Sequence, residues 1–181
     1  MHISKRIIAT LIFIFTGFTV IHAQSELVWD TGKPDNDSEK STVMELYDWK
    51  SMEKAQELAA ENGKKVLVYA NARWCTYCKK MEKEVFTLQD VQDITNEYFY
   101  LVWIDLDSDE QLTFRNQEMS QAEFGQVMRV TGTPTFIFID EEGEIIAGQP
   151  GYIPGDIYTQ ILEFVGSDAY LVESFEDFVG N

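Results

Sequence analysis

The sequence predicts an α/β fold: a central mixed β-sheet flanked by helices, with an extra helix at the C-terminus. Three observations carry this expectation. Val66–Ala70 and Phe99–Ile104 are short apolar runs rich in β-branched and aromatic residues, the pattern of strands covered on both faces. Apolar residues at near-helical spacing follow or precede each of them. Further on, Glu141-Glu142-Gly143 is a hairpin turn between two more strand-like runs, which adds an antiparallel pair to the sheet.

The chain first declares its compartment. Lys5 and Arg6 precede fifteen uncharged residues, Ile7–Ile21, and His22-Ala23-Gln24-Ser25 then offers a small residue for cleavage after Ala23. These are the three parts of a secretory signal peptide, so residues 1–23 are expected to direct export to the periplasm or beyond. The apolar run is shorter than the roughly 18–20 residues of a membrane span, and retention as an anchor is the alternative expectation. No cysteine lies near the cleavage point to take a lipid.

Removing residues 1–23 from 181 leaves 158, a length that suits one domain. The formal net charge is −17, and loss of Lys5 and Arg6 takes it to −19. So acidic a surface argues against nucleic acid and anionic membranes as partners, and solubility of an exported protein accounts for it. The same cut removes both histidines, His2 and His22. Without histidine no Cys-His or Ser-His catalytic arrangement can be built, and a tetrahedral zinc site lacks its usual donors.

Residues 24–47 read as a flexible polar lead, with Gly32, Pro34 and an acidic run at 35–39; residues 48–181 read as the folded domain. An amphipathic helix from about Asp48 carries Trp49, Met52, Ala55, Leu58 and Ala59 and ends at Asn62-Gly63. The strand at Val66–Ala70 follows, then a helix with Met81, Val85 and Phe86 inward, then a shorter helix over 87–97. Phe99–Ile104 is apolar throughout, as expected of a central strand. It ends in Asp105-Leu106-Asp107-Ser108-Asp109-Glu110, which begins like a calcium loop but has Glu110 where that loop needs Gly and Asn116 where it needs Glu. Residues 109–117 read as a polar connection. Ser120-Gln121-Ala122-Glu123 has the form of a capping box for a helix through Met128. In Val130–Asp140 a Gly132-Thr133-Pro134 turn feeds a strand, and the hairpin turn leads from it into a second strand at 144–147. Helices are expected at 156–165 and at 169–179, the latter with Tyr170, Leu171, Phe175 and Phe178 on one side.

Cys75 and Cys78 are the only cysteines. Their spacing puts both side chains on one helical face, close enough to bridge. Cys75 stands where a helix opens, and there unpaired N–H groups and the positive end of the helix dipole favour thiolate over thiol. Arg73, Lys79, Lys80 and Lys83 add positive charge around the pair, or else form a solvated helix face. In an exported protein such a pair is a staple or a redox centre. A disulfide closing so small a loop constrains the unfolded chain little, which favours redox chemistry.

A strand, Trp74-Cys75-Thr76-Tyr77-Cys78-Lys79, a helix, a strand, a helix, then Gly132-Thr133-Pro134-Thr135 before a hairpin and a final helix resembles the thioredoxin superfamily over residues 48–166. Within it the chain most resembles exported, periplasmic thioredoxin-like proteins, including sulfur-oxidation-associated thioredoxins and the thioredoxin-like end domain of the membrane reductant transporter. Trp49, Gly63-Lys64-Lys65, Met81, Phe86, Tyr170 and the tail 174–178 carry that likeness.

The resemblance implies a thiol:disulfide oxidoreductase with the thioredoxin fold and no metal or organic cofactor. Cys75 would attack a partner disulfide and Cys78 would resolve the mixed disulfide. Pro134 would be cis and place Thr133 beside Cys75 to pair with an extended substrate; Trp74, Thr76 and Tyr77 would shape the contact face. Expected partners are cysteine-containing exported proteins and a membrane electron donor, which favours a reductase over an oxidase or isomerase. No dimerisation segment is visible, so a monomer is expected. The family's buried acid, six residues before the first cysteine, is here Tyr69, which cannot act as a base at neutral pH. Asp105 is the candidate to take the proton of Cys78. Two other readings stay open: a metallochaperone holding Cu(I) through Cys75, Cys78 and Met81, and a non-catalytic binding module.

Overall fold

The computed structural model describes residues 43–180. The signal-peptide segment 1–23 and the lead up to Thr42 lie outside the described residues. Val43–Leu46 is helical, and Val43 and Tyr47, at the end of the stretch read as lead, are buried. The Tyr47 hydroxyl donates to the carbonyl of Phe86 at 2.8 Å, which ties this stretch to the core.

Helix α1 spans Met52–Asn62, starting later than the sequence pattern suggests. Lys50 joins the sheet instead, its N–H donating to Leu101 O at 2.8 Å, and Ser51 caps the helix by accepting from the Lys54 N–H. Gly63 ends it at φ 68°, a left-handed conformation that glycine adopts without a Cβ penalty. Strand β1 is Lys65–Asn71, buried along its whole length. Helix α2, Thr76–Glu84, and helix α3, Gln89–Tyr98, precede strand β2, Phe99–Asp105. Strands β3, Gln111–Phe114, and β4, Gln117–Ser120, form a hairpin, followed by helix α4, Gln121–Val127, with both hydrogen bonds of the Ser120/Glu123 capping box in place. Strand β5 is Thr135–Ile139, β6 is Ile145–Pro150, and helix α5 is Gly155–Gly166. A 3₁₀ turn at Ala169–Leu171 and helix α6, Phe175–Gly180, close the chain.

The main sheet runs β2-β1-β5-β6, with β1 parallel to β2 and antiparallel to β5, and β5 antiparallel to β6. It is therefore a mixed sheet flanked by helices, with an extra helix after α5. Alternation along β1 splits the interior in two. Leu67 and Tyr69 face a core that holds the cysteines, Met81, Phe86, Phe136 and Tyr158, while Val66 and Val68 face Ala55, Ala59, Phe124 and Ile137.

Three expectations change. Strand β2 is an edge of the sheet among the described residues, not a central strand; it reads as apolar because side chains cover both its faces, not because it has a neighbour on each side. The stretch 109–117, read as a loop, contributes β3 and the start of β4. Arg115 and Asn116 turn the hairpin at φ 48° and 61°, and Gln56 fastens it by donating to Thr113 O and accepting from the Arg115 N–H. The C-terminal helix is broken into the 3₁₀ turn and α6. Asp168 sits at φ 66° and pairs with buried Lys65 at 2.7 Å, which bends the chain before a long helix can form.

Candidate active site

The register of the sheet gathers the expected site residues at one end. Asn71 closes β1 opposite Asp105, which closes β2, and Ala70 pairs with Thr135, which opens β5. The cysteine loop leaves β1, the acidic loop leaves β2 and the Thr133-Pro134 turn enters β5, all on the side where parallel strands end and α/β sheets bind their ligands. Asn71 holds this end together, donating to Ile104 O at 2.9 Å while its carbonyl accepts from the Leu106 N–H at 2.8 Å.

Cys75 is the N-cap of α2, and Cys78 lies in its first turn. The two form a disulfide with Cα atoms 5.3 Å apart. The Cys78 N–H donates to the Cys75 sulfur at 3.0 Å, so an unsatisfied helix donor is aimed at the atom that would carry negative charge after reduction. Cys75 is 4% exposed and Cys78 2%. Trp74 and Tyr77 stand out on either side at 71% and 61%, with Thr76 exposed between the cysteines. The Thr133–Pro134 bond is cis, and the Pro134 carbonyl accepts from the Gly151 N–H at 2.7 Å. Met81 is fully buried one turn beyond Cys78.

The added positive charge is partly spoken for. Arg73 lies 3.7 Å from Asp105, and Lys80 lies over the Tyr152 ring at 4.3 Å and 3.8 Å from Glu84. Asp105 also accepts from the Asp107 N–H at 3.0 Å, so both its oxygens face the acidic loop and Arg73. Beneath Cys78 the arrangement is different. Tyr69 on β1 points its hydroxyl at α2, 3.0 Å from Glu82 Oε1 and 3.3 Å from the Cys78 carbonyl. Glu82 is one turn after Cys78 on the same helix face and only 7% exposed. Burial, with the Glu82 charge and hydrogen bond added to it, pushes the Tyr69 phenol far above its ordinary range, so it remains a donor.

A family model of the thioredoxin-like domain matches residues 52–166. The chain belongs to the thioredoxin-like family. This thioredoxin-like domain is 32% identical over 138 residues to the thiol:disulfide interchange protein DsbD of Actinobacillus pleuropneumoniae, a match covering 75% of this chain and 22% of that protein. It is 28% identical over 112 residues to the disulfide bond reductase DsbH of Chlamydia pneumoniae, covering 59% of this chain and 64% of that one. A solved thioredoxin-fold protein from Helicobacter pylori superposes with a TM-score of 0.60 at 26% identity, covering 66% of this chain and 80% of its own. The match therefore spans about a fifth of the length of the DsbD relative.

Glu82 is the residue of this thioredoxin-like domain that sequence reasoning missed. Its signal was present: Cys78 and Glu82 are four apart, hence stacked on one face of α2, and Met81 and Val85 beside it already marked that face as inward. What was lacking was the partner across the core, Tyr69, without which an acid on an inward face looks like an exception. Chemically, the assembly offers a sulfur pair that can open and close, a helix terminus that stabilises a thiolate, and a buried carboxyl group one turn below.

Proposed function

We propose that this thioredoxin-like domain is an exported thiol:disulfide oxidoreductase that reduces disulfides in other exported proteins and is itself rereduced by a membrane donor. The observation that carries the reading is the Cys75–Cys78 disulfide at the N-terminus of α2, with the Cys78 N–H on the Cys75 sulfur. The reduced domain starts with two thiols. The Cys75 thiolate attacks one sulfur of a partner disulfide, that S–S bond breaks, and the partner's other sulfur leaves as a thiolate. The Cys78 thiolate then attacks the Cys75 sulfur, the mixed disulfide breaks, and the partner's second thiolate departs. The partner gains two electrons and two protons; the domain loses them and regains its disulfide. A dithiol donor reverses the change.

We assign the proton acceptor for Cys78 to Glu82 rather than to Asp105. Glu82 lies one turn below Cys78 and is held by Tyr69, whereas Asp105 is engaged by Arg73 and the Asp107 N–H. Trp74 and Tyr77 supply the apolar rim for the partner, and Thr133 with cis Pro134 its extended pairing edge. The names of the relatives, an interchange protein and a disulfide bond reductase, support the chemistry and its direction.

The test is the equilibrium reduction potential of the Cys75–Cys78 pair in glutathione or dithiothreitol buffers. A value near about −270 mV is expected for a reductant, and one near about −120 mV would reverse the direction and leave the chemistry. A Cys78→Ser variant should accumulate a mixed disulfide with its partners that a Cys75→Ser variant cannot form.

A further inference from the structure

Away from the cysteines, a groove of about 650 Å³ runs beside the edge strand β2. Its origin is topological. Lys50 covers β2 only where it bridges Val102; the chain then turns into α1, and Gln56 holds the β3–β4 hairpin off to the other side. The gap between the start of α1 and the hairpin has Val102–Asp105 as its floor.

Two chemistries meet in this groove. Trp49 and Trp103 line it, edge to face with centroids 5.2 Å apart, together with exposed Met44 and half-buried Leu112. Around this apolar surface stand the carboxyl groups of Glu53, Asp105, Glu110 and Glu118. Among the described residues the one cation of the lining is Lys50, which is paired with Asp48, and Glu53, Glu110 and Glu118 have no cationic partner there. An aromatic floor with a carboxylate rim fits the side chains of Lys and Arg, whose aliphatic stems pack on indole while their charged heads reach the acids. The volume lies in the range of built binding clefts. Asp105 belongs both to this groove and, through Arg73, to the cysteine loop, and Asp107 next to it accepts from the Trp74 indole at 3.3 Å. The groove therefore meets the redox face at one end.

We infer that this groove docks an extended segment of another protein carrying Lys or Arg at alternate positions, with the basic stems on Trp49 and Trp103 and the heads at Glu53, Glu110 and Glu118. A second copy of the chain fits poorly, because a net charge of −17 sets acid against acid. The chain's own residues 34–42 fit no better, with Asp35, Asp37 and Glu39 against Lys40. The inference stands apart from the redox reading, since nothing in the groove requires sulfur chemistry.

The test uses the full chain and a fluorescent, cysteine-free peptide alternating Lys or Arg with Val, beside a control peptide with Glu in place of the bases. Anisotropy should show binding of the basic peptide alone, weakening as salt is raised. Exchanging Glu110→Lys and Glu118→Lys, both exposed, should weaken it by about tenfold or more, while Glu163→Lys with Asp156→Lys on α5 should change it by less than about twofold. The indole resonances of Trp49 and Trp103 should shift on binding and that of Trp74 should stay. No binding, or equal losses from both charge-reversed pairs, would overturn the inference. So would a concentration-dependent dimer abolished by the Glu110/Glu118 exchange, which would give the groove to a second copy.

Discussion

Removing one oxygen atom from the interior tests the account of Tyr69 and Glu82. Tyr69→Phe keeps the ring and its stacking on Phe136 at 5.5 Å, and deletes only the hydroxyl that reaches Glu82 at 3.0 Å and the Cys78 carbonyl at 3.3 Å. Glu82, 7% exposed, cannot recover that donor from bulk water. A hydrogen bond to a carboxylate contributes about 1.5–3 kcal/mol and one to a neutral group about 1 kcal/mol. Tyr69→Phe should therefore cost about 2 kcal/mol in the native background and about 1 kcal/mol beside Glu82→Gln, whose amide oxygen still accepts. The pair should show a coupling of about 1 kcal/mol in urea unfolding at neutral pH. Resolution of a preformed mixed disulfide should slow by about a hundredfold in Glu82→Gln, the lower end of general-base contributions, and Tyr69→Phe should slow it less. A Tyr69→Phe cost below about 0.5 kcal/mol, additive with Glu82→Gln, would refute the interaction. Resolution left unchanged by Glu82→Gln and slowed by Asp105→Asn would return the proton to Asp105.

Other measurements reach different parts of the molecule. Burial raises the phenols of Tyr47, Tyr69 and Tyr158 above their ordinary range near 10. The unfolded chain loses these protons first, so stability should hold below about pH 10 and fall above it, by up to about 1.4 kcal/mol per pH unit for each phenol. Urea midpoints across alkaline pH check this, and Tyr158→Phe should flatten the fall. Gly166→Ala would place a Cβ 2.5 Å from the Tyr98 ring, near that ring's own backbone, and should lower thermal stability by about 1–3 kcal/mol; Gly125→Ala meets only the tip of Leu106 at 2.5 Å and should cost less. Asp168→Asn keeps a residue that tolerates φ 66° and an amide oxygen that can accept from Lys65, but removes the negative charge paired with that ammonium, which is 2% exposed and also donates to the Gly166 carbonyl at 3.4 Å. It should cost about 2 kcal/mol, less than for a fully buried pair because Asp168 is half exposed, and loosen amide protection after α5.

Much of this protein was legible because it is local. The capping box at Ser120 and Glu123, the left-handed stop at Gly63 and the apolar run of β1 each depend on residues within a turn or a strand of one another, and each stands where the pattern puts it. The disulfide is local too, since three residues on a helix bring Cys75 and Cys78 within bonding reach wherever that helix sits. Polar residues in short elements were harder. Gln111–Phe114 and Gln117–Ser120 have only one buried residue each, so they lack the alternation that marks a strand, and their pairing is secured from outside by Gln56.

Local pattern, acting through backbone geometry and side-chain period, determined by itself the α/β class, the strands of the main sheet, the cysteine-led helix and the chemistry available to it. Tertiary structure alone decided which strand is an edge, because an apolar run records that its faces are covered and not what lies beside it. It alone joined Tyr69 to Glu82 and Lys65 to Asp168, partners far apart in the chain. A buried polar group must find its partner in whatever element packs against it, and no neighbouring residue announces which one that will be.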